Sequence, residues 1–126
     1  MLAYELTFDE RPGYLYALVT APDIDRDTAL DYLKKVADRV TDSRFERLIL
    51  ERDIPVMLPS ADLFFTTQDF FKWVGNTRIA FLNTHASIHD EMGFAILIGT
   101  NRGANYRLFN DLSKAEEWLL AGKAVS

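Results

Sequence analysis

The sequence of 126 residues contains no cysteine. Without cysteine the chain can form no disulfide, no thiolate metal site and no cysteine nucleophile, which excludes the disulfide-stapled secreted domains. No uninterrupted apolar run approaches the ~20 residues that span a bilayer. The first residues also lack the basic and apolar regions of a signal peptide. We therefore expect a cytoplasmic protein without a membrane span.

The chain also has no excess of basic residues. Lys and Arg total 14 against 19 Asp and Glu, which gives a formal net charge of −5. No basic stripe is visible, and an acidic domain repels phosphate backbones, so we expect no nucleic-acid partner. Hydrophobic residues make up 48% of the chain, enough for a core, and no linker or repeat interrupts it. We predict one domain over residues 1–126.

Short apolar runs predict the strands. They lie at 3–8, 14–20, 47–52, 78–82 and 106–109. The turn at Arg11-Pro12-Gly13 joins the first two, and so short a connection makes them an antiparallel hairpin. The uninterrupted run Leu48-Ile49-Leu50 is typical of a strand buried on both faces, as in a parallel sheet.

Segments with helical spacing alternate with the later strands. Asp25 or Asp27 is positioned to cap the first helix, whose apolar residues recur on one face. The second begins at Ser60, is crowded with aromatic residues and has a potential break at Thr66-Thr67. Gly75-Asn76 is its stop signal.

The third and fourth helices are also predicted with their caps. For the third we expect Ser87 as the N-cap, Asp90 at the capping-box position and Gly103 just after the C-terminus. Apolar residues cover most of the circumference of this helix, so we expect it to be the most buried of the four. Asp111 or Ser113 caps the last helix.

The resulting order of elements is β-β-α-β-α-β-α-β-α. A hairpin followed by alternating strands and helices predicts an α/β fold, with a five-stranded, mixed but mostly parallel sheet flanked by about four helices. We expect the runs 48–50 and 79–82 to lie side by side as inner strands, with the helix over 88–102 packed across them.

The end of the chain carries the most specific family resemblance. Asn101-Arg102-Gly103 closes an apolar helix, the strand Asn105 to Phe109 follows, and then come Asp111, Ala115 and Trp118-Leu119. With the order of elements, this run resembles the STAS-type fold of the anti-anti-sigma factors, and more closely the small bacterial SpoIIAA-like group of the STAS/SEC14 type. The resemblance implies a fold that works mostly by binding partners.

Ser60 has two interpretations. In the anti-anti-sigma factors a partner kinase phosphorylates a serine at the start of the helix after the central strand. The matching stretch here is Pro59-Ser60-Ala61-Asp62-Leu63, in which Ser60 and Leu63 agree with the family pattern. The resemblance therefore implies a phosphorylation site, while the position alone predicts an N-cap that accepts a backbone hydrogen bond.

The residues that carry chemistry form no catalytic set. His85 and His89 are spaced i, i+4, but the predicted cap at Ser87 leaves His85 outside the helix, and the chain has no third histidine. The sequence has neither a Gly-x-Ser-x-Gly elbow nor a glycine-rich phosphate loop. We predict no catalytic residues, no metal and no cofactor.

An aromatic segment, with the loop before it, is the strongest candidate for function. Its candidate interaction or pocket residues are Val56, Met57, Leu58, Phe64, Phe65, Phe70, Phe71 and Trp73. We expect most of these aromatics in the core. So many exceed what one buried stripe normally holds, however, so we expect some at a surface for a protein partner or self-association, or lining an apolar pocket. We favour a non-enzymatic regulatory or protein-interaction module. The alternative is a carrier for a small or lipid-like molecule, which requires a closed apolar cavity of at least ~300 Å³.

Overall fold

The computed structural model describes residues 1–121. Its strands are β1 (Glu5–Arg11), β2 (Tyr14–Thr20), β3 (Arg47–Asp53), β4 (Arg78–Asn83) and β5 (Tyr106–Phe109). Its helices are α1 (Arg26–Ser43), α2 (Ser60–Val74), α3 (His89–Thr100) and α4 (Leu112–Ala121), with a 3₁₀ turn over Ala86–Ile88. The order of elements confirms the prediction, although β1 begins two residues later than expected and extends to Arg11.

The five strands form one sheet in the order β1-β2-β3-β4-β5. β1 and β2 pair antiparallel, and each later neighbour pairs parallel. Leu48 is the register partner of Ile79, so the two buried runs lie side by side as inner strands. The predicted α/β fold with a mixed, mostly parallel sheet is therefore confirmed.

The helices cover the two faces of the sheet unequally. α1, α2 and α3 pack over one face, where they enclose the larger core, with Leu15, Leu48 and Ile79 fully buried beneath them. α4 crosses β3, β4 and β5 on the opposite face, where Leu119 packs into the smaller core that includes Ile49. In an open sheet with parallel strands, the loops at the carboxyl ends of the strands are the usual place for function.

Two of the predicted helix signals act as expected. The Asp25 carboxylate accepts a 2.7 Å hydrogen bond from the Thr28 backbone N–H, which caps α1. Asp111 Oδ1 accepts from the Lys114 backbone N–H at 3.2 Å and does the same for α4. Thr66 does not break α2, because its hydroxyl donates to the Leu63 carbonyl within the helix and leaves the backbone ladder intact.

The predictions for α3 are wrong in two respects. Ser87 lies in the 3₁₀ turn, and the residue that precedes α3 is Ile88, which makes no capping hydrogen bond, so Ser87 and Asp90 form no capping box. α3 is also not the most buried helix. The side chains of Phe94 and Leu97 are 48% and 53% exposed, because α3 packs along one side on α2 and β5 and no described element covers the other side.

Candidate functional site

The loop between β3 and α2 is held in place from below by a buried arginine. Arg52, near the end of β3, is only 5% exposed. Its guanidinium donates to the carbonyl of Ile54 at 2.9 Å and to the carbonyl of Val56 at 2.5 Å. Both bonds anchor backbone groups at the carboxyl end of the sheet. The loop therefore presents Val56 to solvent from a fixed backbone.

The predicted aromatic segment divides between core and surface. Phe70 and Leu58 are buried, and the Phe70 ring packs edge-to-face on Phe81 and at a tilt against Tyr106. Met57, Phe64, Phe71 and Trp73 are half-buried. Phe65 is the exception among the aromatics of α2, since half of its side chain is exposed. One face of α2 thus supplies core residues, and its first turns also expose apolar side chains to solvent.

Sequence reasoning missed the contribution of α3 to this surface. Phe94 and Leu97 are exposed at i, i+3, so they lie on one face of α3, which packs beside α2. At the end of α3 the Arg102 guanidinium lies 4.8 Å from the centre of the Phe64 ring, which packs edge-to-face on Phe65. We call Phe64, Phe65, Phe94 and Leu97 the α2/α3 apolar surface. A signal was present in the sequence, because a helix that is apolar around most of its circumference has more apolar residues than one packed side can bury.

Ser60 lies at the start of α2, but it does not cap the helix. The N-cap is Pro59, which has no side-chain capping bond, and Ser60 is the first helical residue. The Leu63 N–H bonds to the Pro59 carbonyl at 2.9 Å, so the helix closes without the serine hydroxyl. The N-cap interpretation is therefore wrong, and the Ser60 side chain is exposed to solvent.

A small cavity lies beneath the loop and α2. Its volume is about 70 Å³, and its wall includes Met57, Leu58 and Phe70 of the predicted set but not Phe64 or Trp73. Sites for drug-sized ligands occupy roughly 300–1,000 Å³, so the cavity is too small for a lipid-like molecule. The carrier alternative is not favoured.

The rings of the two histidines have different hydrogen-bond partners. The His85 Nε2 is 2.6 Å from Asp53 Oδ1 and links the ends of β4 and β3. The His89 Nδ1 lies 3.4 Å from the amide nitrogen of Asn83. Within residues 1–121, His, Asp and Glu side chains nowhere gather in a group of three that could hold a metal ion. Nor is any helix over these residues long and apolar enough to cross a membrane.

Comparison with known proteins supports the fold. No family model matches the sequence, and no curated protein matches it in a sequence search. Among solved structures, an anti-sigma factor antagonist from Mycobacterium paratuberculosis superposes with a TM-score of 0.67. The match covers 93% of this chain and 94% of that chain, at 17% sequence identity. The chain therefore has the fold of an anti-sigma factor antagonist, and the resemblance to STAS-type domains is confirmed at the level of fold.

Proposed function

We propose that the chain is a non-enzymatic regulatory module that binds a protein partner through the α2/α3 apolar surface and the adjoining loop. The observation that carries this proposal is the exposure of Phe65, Phe94 and Leu97 on two helices that pack side by side. Large apolar side chains grouped at a surface mark interaction sites, whereas single ones need no explanation. Aromatic residues are also enriched among those that dominate binding energy at interfaces.

The structural likeness supports a proposal for the class of partner. The solved counterpart is an antagonist of an anti-sigma factor, so an anti-sigma factor is the partner that we propose for this chain. The rigid loop supports the same proposal. Because Arg52 fixes the backbone at Ile54 and Val56, little ordering entropy remains to be lost when the loop meets a partner.

Site-specific photocrosslinking in cells tests the surface. A photoreactive phenylalanine analogue replaces Phe65 or Leu97, and in the control it replaces Leu112, an exposed residue of α4 on the opposite face. We expect one protein to be crosslinked from both α2/α3 positions and not from the control. A crosslinked partner seen only from the control position would overturn the proposal.

The affinity of that crosslinked protein is then measured with purified variants. Phe65→Ser and Leu97→Ser should each weaken binding at least about tenfold, as expected when a buried anchor is lost at an interface. Leu112→Ser should leave the affinity unchanged. Equal affinities for all variants would show that the partner docks elsewhere.

Phosphorylation of Ser60 belongs to the same proposal. The hydroxyl is exposed at the first turn of α2, and a phosphate there would be favoured by the helix N-terminus and opposed by Asp62. A phosphate adds roughly −2 charge beside the apolar surface, so we expect it to weaken partner binding. Ser60→Asp should reduce the affinity and Ser60→Ala should not, and intact-mass measurement of protein from its own host reports whether the site is modified. Equal affinities for both variants together with an unmodified mass would remove Ser60 from the proposal.

A further inference from the structure

Three arginines lie at the amino ends of three neighbouring parallel strands. Arg47 and Arg78 are the first residues of β3 and β4 and are direct register partners. Arg107, in β5, pairs with Ala80, two residues after Arg78. Side chains of alternate residues share a face of a sheet, and so do those of directly paired residues. All three arginines therefore lie on the α4 face.

Two of these arginines bind the end of α4. Arg47 Nε donates to the Leu119 carbonyl at 3.0 Å, and Arg78 Nη2 donates to the Trp118 carbonyl at 2.7 Å. The Arg78 guanidinium also stacks on the Trp118 ring, 3.7 Å from its centre. These contacts satisfy carbonyls of the last turn of the helix. They use one N–H group of each arginine.

None of the three arginines forms an ion pair with a side chain of residues 1–121. The ion pairs among these residues use other cations, and none joins Arg47, Arg78 or Arg107 to a carboxylate within 4.0 Å. Like charges directly opposite one another in a sheet destabilise it. Burial, and then the charges of Arg47 and Arg107, hold the pKa of Arg78 below its usual value. Such a concentration of positive charge is unexpected in a chain of net charge −5.

An open groove of about 450 Å³ adjoins Arg47 and Arg78. Arg47, Arg78 and Asn105 line it, and Asn105 Oδ1 accepts a 3.2 Å hydrogen bond from Arg78 Nη1. Glu46 also lines the groove, as does Val74 at the end of α2. Arg107 does not line the groove, but its charge acts on Arg78 from the same face of the sheet. With Arg107 included, and counting Glu46 as −1 and the C-termini of α2 and α4 as about −0.5 each, the local charge is about +1.

We propose that this groove at the amino edge of the sheet binds a small anion that carries a phosphate or a carboxylate group. Guanidinium groups bind either group through paired, charge-assisted hydrogen bonds, and the volume of the groove falls within the range of small-molecule sites. Bound anion would also relieve the repulsion between Arg47 and Arg78. The groove lies at the opposite edge of the sheet from the loop of the proposed interaction site, and none of the residues that line it belongs to the α2/α3 apolar surface.

Titration of the isotope-labelled protein at low ionic strength tests the site by NMR. Inorganic phosphate and citrate are the two probes, and they distinguish phosphate from carboxylate recognition. We expect saturable shifts of the backbone amides of Thr77, Arg78 and Asn105, with a dissociation constant below about 1 mM for at least one probe. Shifts that fail to saturate, or that are spread over the whole surface, for both probes would overturn the proposal.

Matched variants separate the groove from general charge attraction. Arg107→Gln removes one charge without removing a hydrogen bond to α4, and Arg47→Gln removes a second. Arg47→Gln should weaken binding of the active probe at least about fivefold, because a charge-assisted contact is lost. Arg107→Gln should weaken it less, because Arg107 does not line the groove and acts only through its charge. Arg26→Gln is the control, since Arg26 is exposed at the start of α1, near the carboxyl edge of the sheet. Equal weakening by all three variants would mean that the anion responds only to net charge.

Discussion

The two glycines of α3 differ in the space around them, so substitution by alanine should have opposite effects on stability at the two positions. A Cβ atom on Gly99 would lie 2.7 Å from Cδ2 and Cε2 of the Tyr106 ring, whereas a Cβ on Gly93 would meet nothing within 4 Å. The Tyr106 ring is buried and packs on Phe70 and Phe81, so it cannot move aside cheaply. Gly99 is thus the residue that lets α3 approach β5 closely.

We expect Gly99→Ala to lower the free energy of unfolding by about 1–3 kcal/mol, the usual cost of overpacking. Gly93→Ala should raise it by about 0.5–1 kcal/mol, because alanine has the higher helix propensity and the site is open. Urea unfolding of both variants measures the difference. If Gly99→Ala proved as stable as Gly93→Ala, the close packing of α3 on Tyr106 would be wrong.

The burial of the Arg52 side chain is a second feature that depends on a single residue. Its side chain is buried without a carboxylate partner within 4.0 Å among residues 1–121, and it bonds instead to two carbonyls of the loop. Sequence patterning predicts a strand residue here, flanked by Glu51 and Asp53, and offers no reason to bury the charge. The fold does so because the residue faces the larger core at the point where the chain turns into α2.

At the scale of the element, α1 depends on its N-terminal cap. The Thr28 side chain and then its backbone N–H hold the pKa of Asp25 below the usual aspartate value. A carboxyl whose pKa is lower in the folded than in the unfolded chain stabilises the fold above the unfolded pKa of about 4. That contribution is lost as the pH falls through the folded pKa.

Asp25→Ala should therefore destabilise the protein at neutral pH, and the difference from the wild type should shrink below pH ~4. Asp25→Asn is the matched variant, because asparagine also caps helices but carries no charge. We expect it to retain most of the stability at neutral pH and to lose this part of the acid dependence. Thermal unfolding at several pH values measures both effects, and parallel pH profiles for all three proteins would contradict the role of the cap.

The helix starts also show when a capping pattern in the sequence predicts a real N-cap. Asp25 and Asp111 act as caps because each lies directly before the first residue of a helix, where its carboxylate can accept a hydrogen bond from a backbone N–H of the first turn. Ser87 had an equally good sequence context, but the chain leaves β4 through a 3₁₀ turn that already fixes the entry to α3. Asn83 helps to fix this entry, since its amide exchanges hydrogen bonds with the backbone of His85. That choice depends on contacts across the turn, which a capping pattern does not contain.

At the scale of the whole molecule, α4 is the one described helix on its face of the sheet. Leu119 is fully buried there among Ile49, Ala80 and Leu82, whereas Leu112 in the first turn of α4 is 39% exposed. We expect Leu119→Ala to lower the free energy of unfolding by about 2–5 kcal/mol and Leu112→Ala by less than about 1 kcal/mol. Chemical denaturation measures both values. Similar small losses for the two variants would show that α4 contributes little to the smaller core.

The sequence by itself determined the order of the elements, the hairpin, the inner strands and the fold to which they belong. Those properties follow from local patterns, since short apolar runs mark the strands and 3.6-residue spacing marks the helices, whatever lies across the molecule. It also located the loop and the aromatic helix as the candidate interaction segment, although it did not predict that Phe65 is exposed and Phe70 buried.

Only the tertiary structure decided which apolar and charged residues meet. Phe94 and Leu97 read as core residues in sequence, and they are exposed because the sheet ends at β5 and no described element covers the outer side of α3. Arg47 and Arg78 are 31 positions apart, and strand register makes them neighbours. Burial and proximity depend on partners brought together from distant parts of the chain, so a pattern read along one segment cannot contain them.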